Sequence, residues 1–282
     1  MRRRTVRWLV ATPVILLTVT LIWGLLDSSG GVSGRTQWNM RWNSAEETEL
    51  GGYLITPSQA RRYASSPATG TVIPARPSAD GRYPAVLLLH EWWGLNAETV
   101  SMADQLSADG YVVLAPDLFR GRVSVSRPGA VLQMIRTPRA QVEDDVDRAL
   151  AQLRAMPTVD PQRVGVLGFC FGGTQAMLLG SRTAELGATA IFYGGSPITT
   201  DDEIGALGAR GPVVGIYGGE DSTISVDDVR RFEELLSQRG RETFFTVYPD
   251  AGHAFVDPRS LRRGGDAAAA WDQVRQLLQQ YL

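Results

Sequence analysis

The sequence predicts an α/β protein with a mostly parallel central sheet covered by helices on both faces. From residue 84 onward, short and continuously apolar runs alternate with stretches whose apolar residues recur at helical spacing. The chain is also large enough for a full core: 282 residues, 44% hydrophobic and 21% charged, an ordinary globular composition.

The first 26 residues stand apart from this pattern. Arg2, Arg3, Arg4 and Arg7 form a basic segment over residues 1–7, and residues 8–26 then carry no charge. Nineteen residues of helix at about 1.5 Å each span roughly a bilayer core. The arginines hold the N-terminus in the cytoplasm and place the remainder outside it. The expectation is a single-pass cell-membrane protein: a transmembrane signal anchor over 8–26, a linker over 27–44, and a globular domain over 45–282, with the lipid bilayer as a partner. A cleaved signal peptide and secretion is the competing reading. The apolar run is longer than a usual h-region, however, and no A-x-A-like site follows it. A buried helix of a soluble protein leaves the arginine cluster before an all-round apolar run unexplained.

The remaining elements follow in order. The stretch DSSGGVSG, residues 27–34, reads as a flexible tether. TQWNMRW, GYLI and TVIPARP are β-leaning runs between Gly, Pro and Ser, suited to an antiparallel edge of the sheet. PAVLLL (84–89) is a strand, about 97–108 a helix and YVVLA (111–115) a strand. Val142, Val146, Ala149, Leu150 and Leu153 recur at helical spacing within about 140–155. RVGVLG is a strand followed by a helix after Gly172, and ATAIFY and PVVGIY are further strands. Val226, Val229, Phe232, Leu235 and Leu236 mark a helix; FFTVY (244–248) is the last strand, and Trp271, Val274, Leu277 and Leu278 mark the final helix.

Composition excludes several function classes. The formal charge is −2, with arginine supplying every fixed positive side chain because lysine is absent, so nucleic-acid binding has no electrostatic support. One cysteine permits no intrachain disulfide. Cys170, His90 and His253 are too few for a Cys/His zinc site, and neither a metal nor a cofactor is expected.

Chemistry concentrates after the strand ends, where ligands bind in such sheets. Gly168-Phe169-Cys170-Phe171-Gly172 has the spacing of the G-x-S-x-G nucleophile elbow with cysteine at its centre. The glycines allow a sharp turn, and the following helix N-terminus favours a thiolate. The plain alternative is a small buried side chain. A thiol needs a base, and His253 in YPDAGHAF follows the last strand, completing the chain order nucleophile, acid, histidine of α/β-hydrolases. Its alternative is a surface-loop histidine. Asp221, directly after PVVGIY, is the candidate acid, with Glu220 and Asp250 as competitors. The backbone N–H groups of Phe171 and Trp92 are candidate oxyanion donors.

With these residues assembled, the chain resembles the dienelactone hydrolase family over roughly residues 45–282. HEWWGLN (90–96), APDLF (115–119), GFCFGG (168–173), GGEDSTIS (218–225) and AGHAF (251–255) carry the resemblance. It implies an α/β-hydrolase fold and a Cys170–His253–Asp221 triad that opens esters or lactones through an acyl-thioester. It also implies that Glu91 contacts the resting thiol and modulates its ionisation; by its chemistry Glu91 could equally orient its own loop. Family arginines that hold a substrate carboxylate have Arg120 and Arg122 as their nearest counterparts here. Asp257 occupies the other arginine position and would repel a carboxylate. Trp93 and Tyr193 are candidate substrate-binding residues, with Trp92, Phe169 and Phe171 nearby; all could equally pack beside the sheet.

The function expected is hydrolysis of a small ester or lactone. The alternatives are a thioesterase or other acyl hydrolase running on the same triad, and a non-catalytic envelope protein that keeps a ligand pocket on a hydrolase fold.

Overall fold

The computed structural model describes residues 38–43, 49–63, 74–195 and 198–282. The expected anchor over 8–26 lies outside the described residues, as do the basic segment 1–7 and most of the linker. No helix among the described residues is long and apolar enough to cross a membrane.

Eight strands form one sheet in the order β1-β2-β4-β3-β5-β6-β7-β8, where β1 is Met40–Asn43, β2 Glu49–Ile55, β3 Tyr83–Leu89, β4 Val112–Pro116, β5 Val159–Phe169, β6 Thr189–Phe192, β7 Val213–Gly218 and β8 Thr243–Tyr248. The pairs β1·β2 and β2·β4 are antiparallel, and the other five are parallel. Among the described residues the helices are α1 (Pro57–Tyr63), α2 (Ala97–Ala108), α3 (Arg127–Arg136), α4 (Arg139–Arg154), α5 (Phe171–Arg182), α6 (Asp201–Ile204), α7 (Val226–Gln238), α8 (Pro258–Arg263) and α9 (Asp266–Tyr281).

The period-two alternation of strand side chains builds the layers. Val86 and Leu88 of β3 join Met102 and Leu106 of α2 and Trp271, Val274 and Leu278 of α9 on one face. Ala85, Leu87 and Leu89 meet Val142, Val146 and Leu150 of α4 and Leu179 of α5 on the other. Beyond them, Val229, Phe232 and Leu236 of α7 close over β6 and β7. Each fully buried leucine contributes about 1.5–3 kcal/mol of apolar transfer. A buried bidentate ion pair ties the ends of this layer: Arg275 of α9 donates to both carboxylate oxygens of Asp109, after α2, at 2.6 Å each.

The chain runs from β3 to β4 on one side and then returns to place β5 on the other side of β3. Strand order therefore reverses between β3 and β5, and the crevice beyond their carboxyl ends is where a ligand is expected. Residue 90 follows one strand and Cys170 the other.

Some expectations need correction. The sheet begins before residue 45, because β1 pairs with β2 from Met40 to Asn43, so the end of the 27–44 linker belongs to the fold. The described part of TVIPARP, 74–77, forms no strand. Helices α1, α3, α6 and α8 were not anticipated. Three of them have seven residues or fewer, and α3 buries Gly129, Ala130 and Gln133 in place of an apolar stripe.

Candidate active site

The turn between β5 and α5 is as tight as the glycine spacing requires. A side chain at Gly168 would collide with the Gly172 carbonyl, and one at Gly172 with the Leu89 carbonyl. Cys170 itself sits at φ 51° and ψ −112°, a backbone strain of about 1–3 kcal/mol. Hydrogen bonds hold it there: Cys170 N–H donates to Phe192 O at 2.9 Å, and Cys170 O accepts from Thr174 N–H at 3.1 Å. Tyr193 and Ala254 also have positive φ, so non-glycine strain collects around Cys170 and His253.

The three expected triad residues come together although 83 positions separate Cys170 from His253. His253 Nε2 lies 3.1 Å from Cys170 Sγ, and His253 Nδ1 lies 2.6 Å from Asp221 Oδ2. Asp221, not Glu220 or Asp250, is the acid on the imidazole. Its second oxygen, Oδ1, accepts from Thr223 Oγ1 at 2.6 Å, Thr223 N–H at 2.8 Å and Ile224 N–H at 3.2 Å. Burial raises the pKa of this carboxyl, but the bonds from Thr223 and His253 outweigh it and hold the carboxyl below its usual range. An ionised Asp221 fixes the Nδ1–H tautomer and leaves Nε2 free to take the thiol proton.

The resting thiol is protonated. Burial is the main cause, and the Glu91 charge adds to it, pushing the Cys170 pKa up to about 12 against a backbone N–H bond from Phe171. That N–H, at the first position of α5, is one of the two expected oxyanion donors.

The second expected donor lies on the loop after β3, which buried polar groups hold in shape. His90 is fully buried; its Nε2 accepts from Leu118 N–H at 3.0 Å, so Nδ1 carries the proton and donates to Glu91 O at 2.6 Å. Burial lowers the His90 pKa and keeps the ring neutral. Glu91 O also accepts from Gly94 N–H at 3.1 Å. In a trans peptide the Trp92 N–H points opposite to that carbonyl, away from the His90 ring. From α3, Gln133 Nε2 donates to Trp92 O at 3.0 Å.

Glu91 sits over Tyr193. Burial first, then the charges of Glu98 and Asp257, raise its carboxyl pKa to about 7 against a hydrogen bond from Tyr193. The Tyr193 hydroxyl also donates to Val256 O at 2.9 Å. One hydroxyl proton cannot serve two acceptors, whereas a protonated Glu91 donating to Tyr193 satisfies all three groups. Tyr193 is buried beneath the site, its ring edge-on to His253 at 5.2 Å, and does not line the cavity.

A cavity of about 220 Å³ is lined by Glu91, Trp93, Glu98, Phe169, Asp257 and Arg259 among others; Cys170, Asp221 and His253 do not line it, but Phe169 and Ala254, the chain neighbours of Cys170 and His253, do. Trp93 lines it as expected. Arg120 and Arg122 do not. Arg120 donates to both oxygens of Asp145 on α4, at 2.8 and 3.0 Å, and Arg122 donates to Phe119 O and Thr137 Oγ1. A buried carboxylate at Asp145 draws the first guanidinium away, a pairing across 25 residues that local sequence does not disclose. Asp257 faces the cavity while its Oδ1 caps α8 through Arg259 N–H and Ser260 N–H. No cluster of His, Cys, Asp and Glu able to hold a metal ion occurs among the described residues. Sequence reasoning missed Gln133 and the structural role of His90; the buried polar character of both shows only once α3 and the loop are folded.

The chain is similar to several known proteins. A provisionally named carboxymethylenebutenolidase of Methylorubrum extorquens is 31% identical over 230 residues, 76% of this chain and 79% of its own. Its counterpart in Synechocystis is 30% identical over 225 residues, 73% and 89%. Among solved structures, m3DLH superposes with a TM-score of 0.67 at 27% identity, covering 86% of this chain and 97% of its own. A provisionally named dienelactone hydrolase of Klebsiella pneumoniae gives 0.66 at 23% identity, covering 88% and 98%, a likeness of fold. The profile of the dienelactone hydrolase family matches residues 71–282, and on the strength of that match the chain belongs to the dienelactone hydrolase family.

Proposed function

We propose that this protein hydrolyses a small ester or lactone by nucleophilic catalysis at Cys170. The observation that carries the reading is the continuous relay from Cys170 Sγ through His253 to Asp221, at 3.1 and 2.6 Å. His253 Nε2 takes the thiol proton as sulfur attacks the substrate carbonyl carbon. Ionised Asp221 stabilises the imidazolium, and the Phe171 and Trp92 N–H groups receive the developing oxyanion. His253 then protonates the leaving alkoxide, giving an acyl-thioester. Water, deprotonated by His253, attacks that thioester and returns the thiol. The chain's own side chains supply every proton transfer in this scheme.

The substrate is one without a carboxylate near the reacting carbonyl. Glu98 and Asp257 line the cavity with Arg259 as the one cationic side chain among its lining residues, and Arg120 and Arg122 are engaged elsewhere, so an anionic acyl group would face a lining in which carboxylates outnumber the cation. The carboxymethylenebutenolidase name of the relatives supports ester or lactone chemistry; the cavity charges argue against their implied anionic substrate.

We also propose that the domain works outside the cytoplasm, held by an anchor over 8–26. The support is the basic segment followed by nineteen uncharged residues. Carbonate-resistant membrane association of the full chain, with a size that includes residues 1–37, tests this.

The test of the chemistry is hydrolysis of a neutral p-nitrophenyl ester and a simple lactone by the wild type and Cys170→Ala. Turnover lost with Cys170 is expected. Equal rates in two folded proteins would remove the thiol mechanism.

A further inference from the structure

Large exposed hydrophobic side chains cluster in one stretch of the described residues. Val125, Val131, Met134 and Ile135 are 62%, 44%, 38% and 75% exposed, and no other large hydrophobic side chain is comparably exposed among the described residues. Val131, Met134 and Ile135 fall within an arc of about 100° on α3, opposite the buried Gly129 and Gln133. Arg127 lies one turn before Val131 on the same arc, and Arg136 and Arg139 flank its other end; all three are exposed.

Charge in this region is one-sided. From Leu118 to Val142 there are five arginines and no acidic residue, in a chain whose net charge is −2. Asp145 pairs with Arg120 and Glu143 with Arg139, both acids lying beyond the apolar arc on α4. An apolar helix face rimmed by arginine is the composition of a helix that lies in a membrane interface.

The place where the chain joins the fold is adjacent. Trp38, the first described residue, donates from Nε1 to Asp117 Oδ2 at 2.7 Å, the same oxygen that accepts from Gly121 N–H at 2.8 Å. That turn leads directly into α3. Eleven residues, 27–37, separate the anchor region from Trp38, a reach of at most about 40 Å.

We propose that the α3 face docks on a bilayer surface bearing anionic lipid, with Val131, Met134 and Ile135 inserted at the headgroup level and Arg127 and Arg136 against lipid phosphates. The inference rests on the anchored reading for the position of the tether; the surface chemistry is independent of it. A second copy of the chain is the weaker occupant, because a two-fold contact through this arc would oppose its arginines to one another. Docking would also bring the site mouth to the interface, since Ser124 N–H donates to Trp93 O at 2.9 Å and Gln133 holds Trp92.

The experiment uses the full chain with Cys170→Ala, so that a thiol introduced by Ile135→Cys carries the only NBD label; Ser237→Cys on α7 is the control position. The protein is reconstituted into vesicles of phosphatidylcholine alone or with phosphatidylglycerol. Expected is a blue-shifted, brightened emission at position 135 only, present with phosphatidylglycerol and reduced by salt. Arg127→Gln with Arg136→Gln is expected to lower the ratio of docked to undocked label roughly 25-fold, about fivefold for each basic side chain. A water-like label at 135 on anionic vesicles, in protein that floats with them after carbonate washing, overturns docking and leaves the anchor standing. Brightening in phosphatidylglycerol vesicles without carbonate-resistant flotation supports docking and removes the anchor. Brightening in detergent that rises with protein concentration assigns the face to a second copy and overturns the proposal.

Discussion

The Gln133 side-chain amide donates to the Trp92 carbonyl at 3.0 Å, joining the buried side of α3 to the loop that faces the nucleophile. Its Oε1 accepts from Ser124 Oγ at 3.2 Å, so the amide is satisfied at both ends. Gln133→Met keeps the volume and removes the donor. We expect it to leave the Trp92 carbonyl unpaired, to cost about 1–3 kcal/mol of stability, and to lower kcat for a neutral ester by about tenfold, less than the ~10²–10³ of losing an oxyanion donor outright. Thermal unfolding and steady-state kinetics on the same preparation check both. An unchanged kcat in a destabilised protein would reduce Gln133 to a packing role.

Glu91 gives a pH-dependent signature. Its carboxyl is held up at about 7, so it is neutral below that value and charged above it. The charged form raises the Cys170 pKa, second only to burial. Glu91→Gln is therefore expected to speed iodoacetamide alkylation of Cys170 by about tenfold above pH 7, the effect of removing one nearby like charge. The two rates should converge as pH falls below 7, where both side chains are neutral. Equal rates across the whole range would mean that the Glu91 charge does not reach the thiol.

In the proposed mechanism Asp221 orients His253 and does not react. Asp221→Asn keeps the shape but offers His253 Nδ1 an amide, which favours the wrong tautomer. A loss of about 10⁴ in kcat is expected. Thr223→Val, which removes the hydroxyl at 2.6 Å from Asp221 Oδ1, should cost far less, because two backbone N–H groups still hold the carboxylate. Comparable losses in the two variants would show that Thr223, 3.2 Å from His253 Nδ1, has a direct part in orienting the imidazole.

Far from the site, the Asp109–Arg275 pair holds α9 against the end of α2, with both side chains buried. Arg275→Met strands a buried carboxylate and is expected to destabilise by about 3–5 kcal/mol. Asp109→Leu combined with Arg275→Met should recover most of that loss, since an apolar pair of similar size is often as stable. Denaturant unfolding of the single and double variants measures the coupling.

The cluster of Cys170, His253 and Asp221 was legible in the sequence because its signals are local: two glycines around Cys170, and an acid and a histidine each directly after an apolar strand. The helix over 97–108 was equally plain, since Asn96 caps it and apolar residues follow at helical spacing. Helix α3 was not, because it turns apolar residues outward and a glutamine inward, the reverse of the pattern by which a helix is recognised. Arg120 and Arg122 stand near the right motif in sequence, but their partners Asp145 and Thr137 lie on or beside later helices and take them from the cavity. The contacts that shape the oxyanion loop, His90 to Leu118 and Gln133 to Trp92, join segments 28 and 41 residues apart. Only the folded chain displays them.

Because Cys170 is the only cysteine in the chain, a covalent acyl adduct can be located without ambiguity. Wild-type protein turning over a slow neutral ester is quenched in acid during the burst, and its intact mass and the peptide containing Cys170 are read by mass spectrometry. The account predicts an increase equal to the acyl group on that peptide, removed by hydroxylamine and absent in Cys170→Ala. Steady turnover with no adduct on Cys170, and the same rate in Cys170→Ala, would contradict it.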